Sequence, residues 1–195
     1  MLPAAAFTHA PVEGAIAPTQ PDAEHRPVGT GYLANRRYLS LLKQGVAIWN
    51  DQRKQGGELF AGRARVDLSG VDLDRADLCG VDLAWANLAR TDLGRADLSR
   101  ADLSRVDLRQ SVLRRADLTR ADLRGANLRG ADLSWADLSW ANLEGADLEG
   151  ANLHKADLAW ANLRGANLRG ATLRGVSAYR ANWFKATLPD GSVSS

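Results

Sequence analysis

A leucine recurs at every fifth position over most of the chain, and this period constrains the fold more than any other feature. Counting in fives from Val66 gives 25 units, and leucine fills the central position of 23 of them. Five residues advance an α-helix by about 500°, so successive leucines would lie about 140° apart around its axis. On a β-strand, an odd step sends successive leucines to opposite faces. Neither element can gather these side chains into one core.

The leucines can share one interior only if the chain turns about once per unit. Aspartate or asparagine directly precedes most of the leucines, and these short side chains bond to nearby backbone groups at turns. Glycines such as Gly125 and Gly130 end several units and permit tight turning. Small alanines two positions before leucine suit a crowded interior. The pattern predicts an all-β solenoid whose coils stack at the β-sheet spacing of about 4.8 Å.

Similar residues align when the repeat is written in rows of 20, which indicates how many units close one coil. Trp140 and Trp160 align at this step. A column of aspartates also aligns, made of Asp77, Asp97, Asp117, Asp137 and Asp157. These columns favour four units per coil, so that 25 units form about six coils and roughly 29 Å of length.

The predicted organisation has four segments. Residues 1–31 hold five of the six prolines and no apolar period, which predicts a disordered tail, and a partner-binding or targeting element there stays an open alternative. Residues 35–55 form an amphipathic helical cap, residues 66–190 form the β-helix, and residues 191–195 form a disordered C-terminus.

The predicted cap places apolar residues at helical spacing, including Tyr38, Leu42, Val46 and Trp49. Gly45 weakens the helix in its middle and could divide it into two short pieces. Arginines and lysines take the other face, so a membrane-surface element is the alternative to a cap over the first coil.

The A-[D/N]-L-x-x units from Val66 to Leu188 closely resemble the pentapeptide-repeat family. The stretch "LLKQGVAIWNDQRKQ", followed by "VDLSGVDL", is similar to the leader that precedes the repeat in many bacterial members. The resemblance implies a right-handed quadrilateral β-helix with leucine and alanine pointing inward.

Residues that could carry chemistry are scarce. No phosphate-binding glycine loop and no metal-ligand spacing occur, and His154 is the only histidine within the repeat. The carboxylates lie in near-identical environments, with nothing to separate the pKa values of a pair. The sequence therefore predicts a protein that is not an enzyme and has no cofactor and no metal site.

The single cysteine, Cys79, excludes an internal disulfide and favours a reducing, cytoplasmic location. No run of 18 apolar residues is present to span a membrane, and the N-terminal residues lack the pattern of a secretory signal.

Two sets of outward residues are candidates for binding a partner. The candidate partner surface consists of Trp135, Trp140, Trp160, His154, Lys155, Asp137 and Asp157. The alternative is that each tryptophan packs on its own coil or is covered by the tail. The candidate basic girdle consists of Arg95, Arg100, Arg105, Arg115 and Arg120, some of which flank the aspartate column and could neutralise it.

The function predicted from these features is a non-catalytic repeat scaffold that binds another protein. From Val66 to Leu188 there are 17 acidic and 17 basic residues, and Trp85 is the one aromatic residue near the girdle, which argues against nucleic acid as the partner. The resemblance also implies, as one alternative, a DNA-mimicking modulator of DNA gyrase or another topoisomerase. The balanced charge and the absence of phenylalanine at central positions count against it. A second alternative is an effector or membrane-associated protein addressed by its basic N-terminal region. The oligomeric state stays open.

Overall fold

The computed structural model describes residues 30–56, 59–60 and 65–195. Two helices, α1 (Thr30–Leu42) and α2 (Val46–Gln55), precede a coil that occupies residues 65–195. The predicted tail lies outside the described residues, apart from positions 30 and 31, which begin α1.

The coil advances by one turn every 20 residues. Isolated parallel β-bridges join each Asp or Asn position to the residue 20 positions later, as in Asp97–Asp117 and Asp117–Asp137. We call the short extended stretch of one five-residue unit a rung. In each regular rung, the amide at the Asp or Asn position donates to the preceding coil, and the leucine amide donates to the next coil. Asp117 N–H donates to the Ala96 carbonyl at 3.0 Å, and Leu118 N–H donates to the Asp137 carbonyl at 2.7 Å. Four units therefore make one coil, which has four faces and four corners.

Leucine and alanine fill the interior. Leu118 is fully buried and Ala116 is 1% exposed, and the same holds along most of the coil. Four leucines lie in each coil, one per face, and each stacks on the leucine of the next coil at the sheet spacing. Full burial of one leucine contributes about 1.5–3 kcal/mol, so this column of side chains is the main favourable term in the fold.

The side chain before each leucine stabilises the turn that follows. Asp117 Oδ1 accepts a hydrogen bond from the amide of Thr119 at 2.9 Å, two residues later, and this contact recurs in most units. Asparagines can also bond between coils, because their Nδ2 is a donor. Asn167 donates to Asp147 and Asn162 donates to Asn142, both at 3.0 Å. Aspartate and asparagine at this position therefore have a structural role, which is to stabilise the turns of the coil.

The two helices pack over the first coil. Gly45, with φ of 116°, separates α1 from α2, and Gly56 ends α2 in the left-handed conformation. Trp49 is fully buried, and its ring meets those of Tyr38 and Phe60 at centroid distances of 6.2 and 5.2 Å. The aromatic cluster anchors the helix pair to the end of the leucine core.

The C-terminal end differs from the sequence expectation for residues 191–195. Val193 forms an antiparallel bridge with Thr187, and Ser194 N–H donates to the Ala186 carbonyl at 2.9 Å. Gly191, with φ of 87°, lets the chain fold back on the last coil after Pro189. This short hairpin gives the segment backbone partners that its polar composition does not suggest.

Candidate protein-interaction surface

The last residue of every five-residue unit is in the left-handed conformation. From Gly70 to Lys185, each fifth residue has φ between 54° and 73°. The amide that follows donates to the leucine carbonyl three residues back, as in Ala121 to Leu118 at 3.0 Å. A positive φ at the third of four turn residues is the signature of a type II turn, which normally takes glycine or asparagine there. In this chain, 15 of these corner residues are not glycine.

The bulky corner residues concentrate on two of the four corners. We call the first corner column 1, formed by Arg75, Arg95, Arg115, Trp135 and Lys155. We call the second corner column 2, formed by Arg100, Arg120, Trp140, Trp160 and Arg180. Between residues 121 and 170 the other two corners carry only glycine, at Gly125, Gly145 and Gly165 and at Gly130, Gly150 and Gly170, and Lys185 later occupies the first of them. Corner columns 1 and 2 contain one glycine each, Gly175 and Gly80.

A single face lies between corner columns 1 and 2. Its outward position carries Asp77, Asp97, Asp117, Asp137 and Asp157, one per coil. We call this face, with its two bordering columns, the Asp face. Within the described residues, it is the only face on which both borders carry large side chains in four successive coils.

Corner column 2 holds a stack of exposed aromatic rings. Trp140 and Trp160 lie parallel, with centroids 4.8 Å apart and planes 5° apart, and they are 53% and 38% exposed. Tyr179 meets Trp160 edge-on at 5.9 Å, and the Arg180 guanidinium lies over the Trp160 ring at 4.7 Å. These contacts join side chains of successive coils, so the rings form one continuous exposed ridge.

Corner column 1 holds a second, separate aromatic group. The Lys155 ammonium lies 4.2 Å from the centroid of the Trp135 ring, and Arg115 lies on it at 6.0 Å. His154 meets Trp135 edge-on at 6.2 Å. Trp135 is 47% exposed. The aromatic residues of the candidate partner surface thus form two ridges on opposite borders of the Asp face, because Trp135 and Trp140 are one unit, and so one corner, apart.

Asp137 and Asp157 line the floor between these ridges and also serve their own turns. Each uses Oδ1 to accept an amide, from Ser139 and Ala159 respectively, at 2.9 Å. Their side chains are half-buried. The second carboxylate oxygen is the one left to meet a partner.

The basic girdle does not form the predicted contacts with the aspartate column. In residues 65–195, no ion pair within 4.0 Å joins Arg95, Arg100, Arg115 or Arg120 to any carboxylate. Arg105 lies on a third corner, where its guanidinium covers Trp85 at 4.5 Å. The girdle is therefore divided, with four of its arginines bordering the Asp face and one outside it.

Other faces carry ion pairs that the sequence did not single out. Arg109 binds both oxygens of the buried Asp107 at 2.9 and 2.8 Å, and these bonds lower the pKa of that carboxyl. Arg124 likewise lowers the pKa of Asp122 by hydrogen bonding to it. The D-L-R spacing common to both pairs was the available signal.

Two absences hold for the described part of the chain. No group of three His, Cys, Asp or Glu side chains there is placed to hold a metal ion. Neither α1 nor α2 is long and apolar enough to cross a membrane.

Among solved structures, the chain is similar to HetL, a pentapeptide repeat protein of the cyanobacterium Nostoc involved in heterocyst differentiation regulation. The two share 39% identity over 67% of this chain and 65% of HetL, with a TM-score of 0.39. A pentapeptide repeat protein of the Arabidopsis thaliana thylakoid lumen shares 35% identity over 58% of this chain and 69% of its own length, with a TM-score of 0.40. QnrB1, a plasmid-mediated fluoroquinolone resistance protein, shares 23% identity over 67% of this chain and 84% of its own, with a TM-score of 0.29.

A comparison with curated protein sequences finds no match. The family model for pentapeptide repeats matches residues 64–95, 96–134, 131–170 and 151–182, which is more than half of the chain. This chain belongs to the pentapeptide-repeat family.

Proposed function

We propose that the protein is a non-catalytic scaffold that binds another protein through its Asp face. The observation that carries this proposal is the placement of bulky residues in left-handed corners that glycine fills elsewhere in the same chain. A left-handed conformation costs an L-residue about 1–2 kcal/mol relative to its ordinary backbone. Backbone strain of this kind tends to persist at functional sites.

The backbone strain of these non-glycine corners is concentrated at the two borders of the Asp face. Corner columns 1 and 2 carry ten such residues, from Arg75 to Lys155 and from Arg100 to Arg180. The two remaining corners carry glycine in successive coils from Gly125 to Gly170. Because all four corners make the same turn, the turn itself does not require arginine or tryptophan. We attribute the difference to what the Asp face contacts.

The composition of the ridges fits a protein partner. Tryptophan and arginine are enriched among the residues that dominate protein–protein binding energies, and rigid side chains lose little entropy on binding. Trp140 and Trp160 are already fixed by their mutual stacking. The guanidinium groups of Arg120 and Arg100 lie one and two coils before this stack, respectively, and add donors beside the carboxylates of the floor. The surface thus combines an aromatic ridge with both signs of charge.

Two expectations from the sequence belong to the same proposal. We take the coil to be right-handed, as the family implies. We also take the protein to act in a reducing, cytoplasmic compartment, which suits the exposed free thiol of Cys79.

The test compares partner capture by the full-length protein and by matched corner variants in the source cell. The double substitution Trp140→Gly/Trp160→Gly removes the ridge but supplies the residue that the turn prefers, so the fold is retained. The control is Trp85→Gly, which removes an equally exposed tryptophan (54%) from a different corner. Quantitative crosslinking mass spectrometry measures which proteins each variant captures.

We expect at least one partner whose crosslinks to the wild-type protein map to the Asp face. Loss of a central aromatic contact costs about 2 kcal/mol or more, so capture should fall roughly 30-fold in the double variant and stay near wild type in the control. Equal capture by all three proteins, or crosslinks confined to the glycine corners, would refute the proposal.

A further inference from the structure

The helices of the cap complete only part of the first coil, and the uncovered part resembles an unfilled rung. On the covered part, side chains of α2 replace the missing preceding coil. The Trp49 indole N–H donates to the Asp82 carbonyl at 2.7 Å, and Asn50 Oδ1 accepts the Asp82 amide at 2.8 Å. Arg53 donates to the Ala84 carbonyl at 3.1 Å.

In the two preceding units of the same coil, α2 reaches the Gly80 carbonyl through Asn50 Nδ2 at 2.9 Å, but no described side chain replaces the ladder bonds of the Asp positions. Elsewhere, the amide at the Asp position donates down the ladder, as Asp97 N–H does to the Ala76 carbonyl at 2.9 Å. Among the described residues, the amides of Asp72 and Asp77 have no acceptor, and the carbonyls of the same two residues have no donor. An open edge of this kind offers paired donors and acceptors to an extended chain.

A groove lies directly against this edge. It has a volume of about 640 Å³, and its apolar lining comes from Leu39, Leu42 and Val46 of the helix pair and from Leu73, Ala76 and Leu78 of the coil. Ala76 is partly exposed, whereas its counterpart one coil later, Ala96, is fully buried. Leu39 and Val46 are also partly exposed, whereas Leu42, Leu73 and Leu78 are buried, so an added rung would cover apolar surface at Leu39, Val46 and Ala76.

The rim of the groove is acidic. Asp72, Asp74 and Asp77 border it, and Lys43 is the one cation among its described lining residues. Arg75 lies beside the rim and pairs with Asp74 at 3.4 Å, so Asp72 and Asp77 are the carboxylates without an ion pair there. All three carboxylates belong to exposed residues. In the regular coil, the residue stacked on an Asp position lies one sheet spacing away, about 4.8 Å. A basic side chain at that place in a bound segment would face Asp72 or Asp77 directly.

We infer that this open edge is a peptide-binding site, which takes an extended, basic segment of a partner protein as an additional rung. The segment needs a small residue, a basic residue and a leucine-like residue in succession. The leucine amide then donates to the Asp72 or Asp77 carbonyl, and the carbonyl of the small residue accepts the Asp amide, as Leu78 and Ala76 do with Asp97 in the regular coil. The leucine side chain enters the groove, and the basic residue pairs with the rim. This site shares Asp77 with the first coil of the Asp face, but it does not involve the aromatic ridges and does not depend on the function proposed above.

The experiment uses the full-length protein and a synthetic peptide with the sequence Ala-Lys-Leu-Gly-Gly-Ala-Lys-Leu. A control peptide is N-methylated at both leucines, which removes the two donors and keeps the charge. Amide hydrogen exchange of Asp72 and Asp77 is measured by NMR with and without peptide, with Asp97 as the internal reference.

We expect the peptide to slow exchange at Asp72 and Asp77 at least tenfold, to leave Asp97 unchanged, and to bind clearly better than the methylated control. The variant Asp72→Asn/Asp77→Asn keeps the turn acceptors, because asparagine fills this position elsewhere, and should bind about tenfold more weakly. The charge-matched variant Asp102→Asn/Asp132→Asn should bind as wild type does.

Four results would overturn the inference: no binding at millimolar peptide, equal binding of the methylated control, equal loss in both aspartate variants, or binding without protection of the two amides. Protection already present in the free protein would also overturn it. If this protection is present at every protein concentration, other residues of the same chain occupy the edge. If it appears only when the protein dimerises, a second copy of the chain occupies the edge.

Discussion

Replacing Asn50 with alanine should open the first coil without melting the rest. Asn50 joins α2 to the coil through two hydrogen bonds, from its Nδ2 to the Gly80 carbonyl at 2.9 Å and from the Asp82 amide to its Oδ1 at 2.8 Å. The variant Asn50→Ala removes both and leaves two partly buried backbone groups unpaired. Each lost bond costs about 0.5–1.5 kcal/mol, so we expect about 1–3 kcal/mol in total.

The cost should appear locally, because each coil of a solenoid contacts only its neighbours. Since 1.4 kcal/mol corresponds to a factor of ten, amide exchange at Asp82 should accelerate about 5- to 150-fold. Exchange at Leu138, nearly three coils away, should not change. The control is Gln44→Ala, because Gln44 is exposed and its side chain bonds only within the cap, to the Ser40 carbonyl. Unchanged exchange at Asp82, or equal acceleration at Leu138, would show that Asn50 does not substitute for a rung.

Three further changes test the coil itself. In the variant Gly145→Ala, the added methyl group meets no atom within 4 Å, but the residue must keep a φ of 65°. The strain should lower the free energy of unfolding by about 1 kcal/mol, which the denaturation midpoint measures. An unchanged midpoint would contradict the left-handed conformation at this corner. The variant Leu118→Ala removes a fully buried side chain. It should lower the free energy of unfolding by about 2–5 kcal/mol in the same measurement. A smaller decrease would place Leu118 outside the core. The pKa of Asp107 is lowered in the folded state by its bonds to Arg109, so its contribution is present above the ordinary pKa of about 4 and is lost as pH falls through the folded value. Asp107→Asn should therefore lower stability at neutral pH and weaken its dependence on acid, and an unchanged acid titration of stability would contradict this.

The interior was predictable because it follows from a period. If Leu118 and its counterparts at every fifth position share one interior, the chain must turn once per unit. The alignment of Trp140 with Trp160 in rows of 20 agrees with the β-bridges, which join residues 20 positions apart. The same alignment also separates Trp135 from Trp140 by one corner. The candidate partner surface named from the sequence therefore spans two corners of the coil, because consecutive units end at different corners.

The remaining features depend on contacts that no local pattern encodes. A bulky residue such as Trp140 is sterically disfavoured at positive φ, so its own identity does not predict the left-handed conformation. That conformation follows only from the turn that each unit repeats. Asn50 reads as an ordinary helix residue, and its role in completing the first coil depends on Asp82, 32 positions later. The order of Val193 likewise depends on a bridge to Thr187 that the polar ending does not indicate.

Both proposed sites require that residues 20 positions apart stack in straight columns. The single native cysteine allows this to be measured, because Cys79 and Tyr179 occupy the same position five coils apart. Spin labels on Cys79 and on the variant Tyr179→Cys should give one narrow distance distribution, centred at about 24 Å between the backbones, from five sheet spacings. A broad distribution, or a backbone separation far from this value, would contradict the four-sided coil and the columns that depend on it.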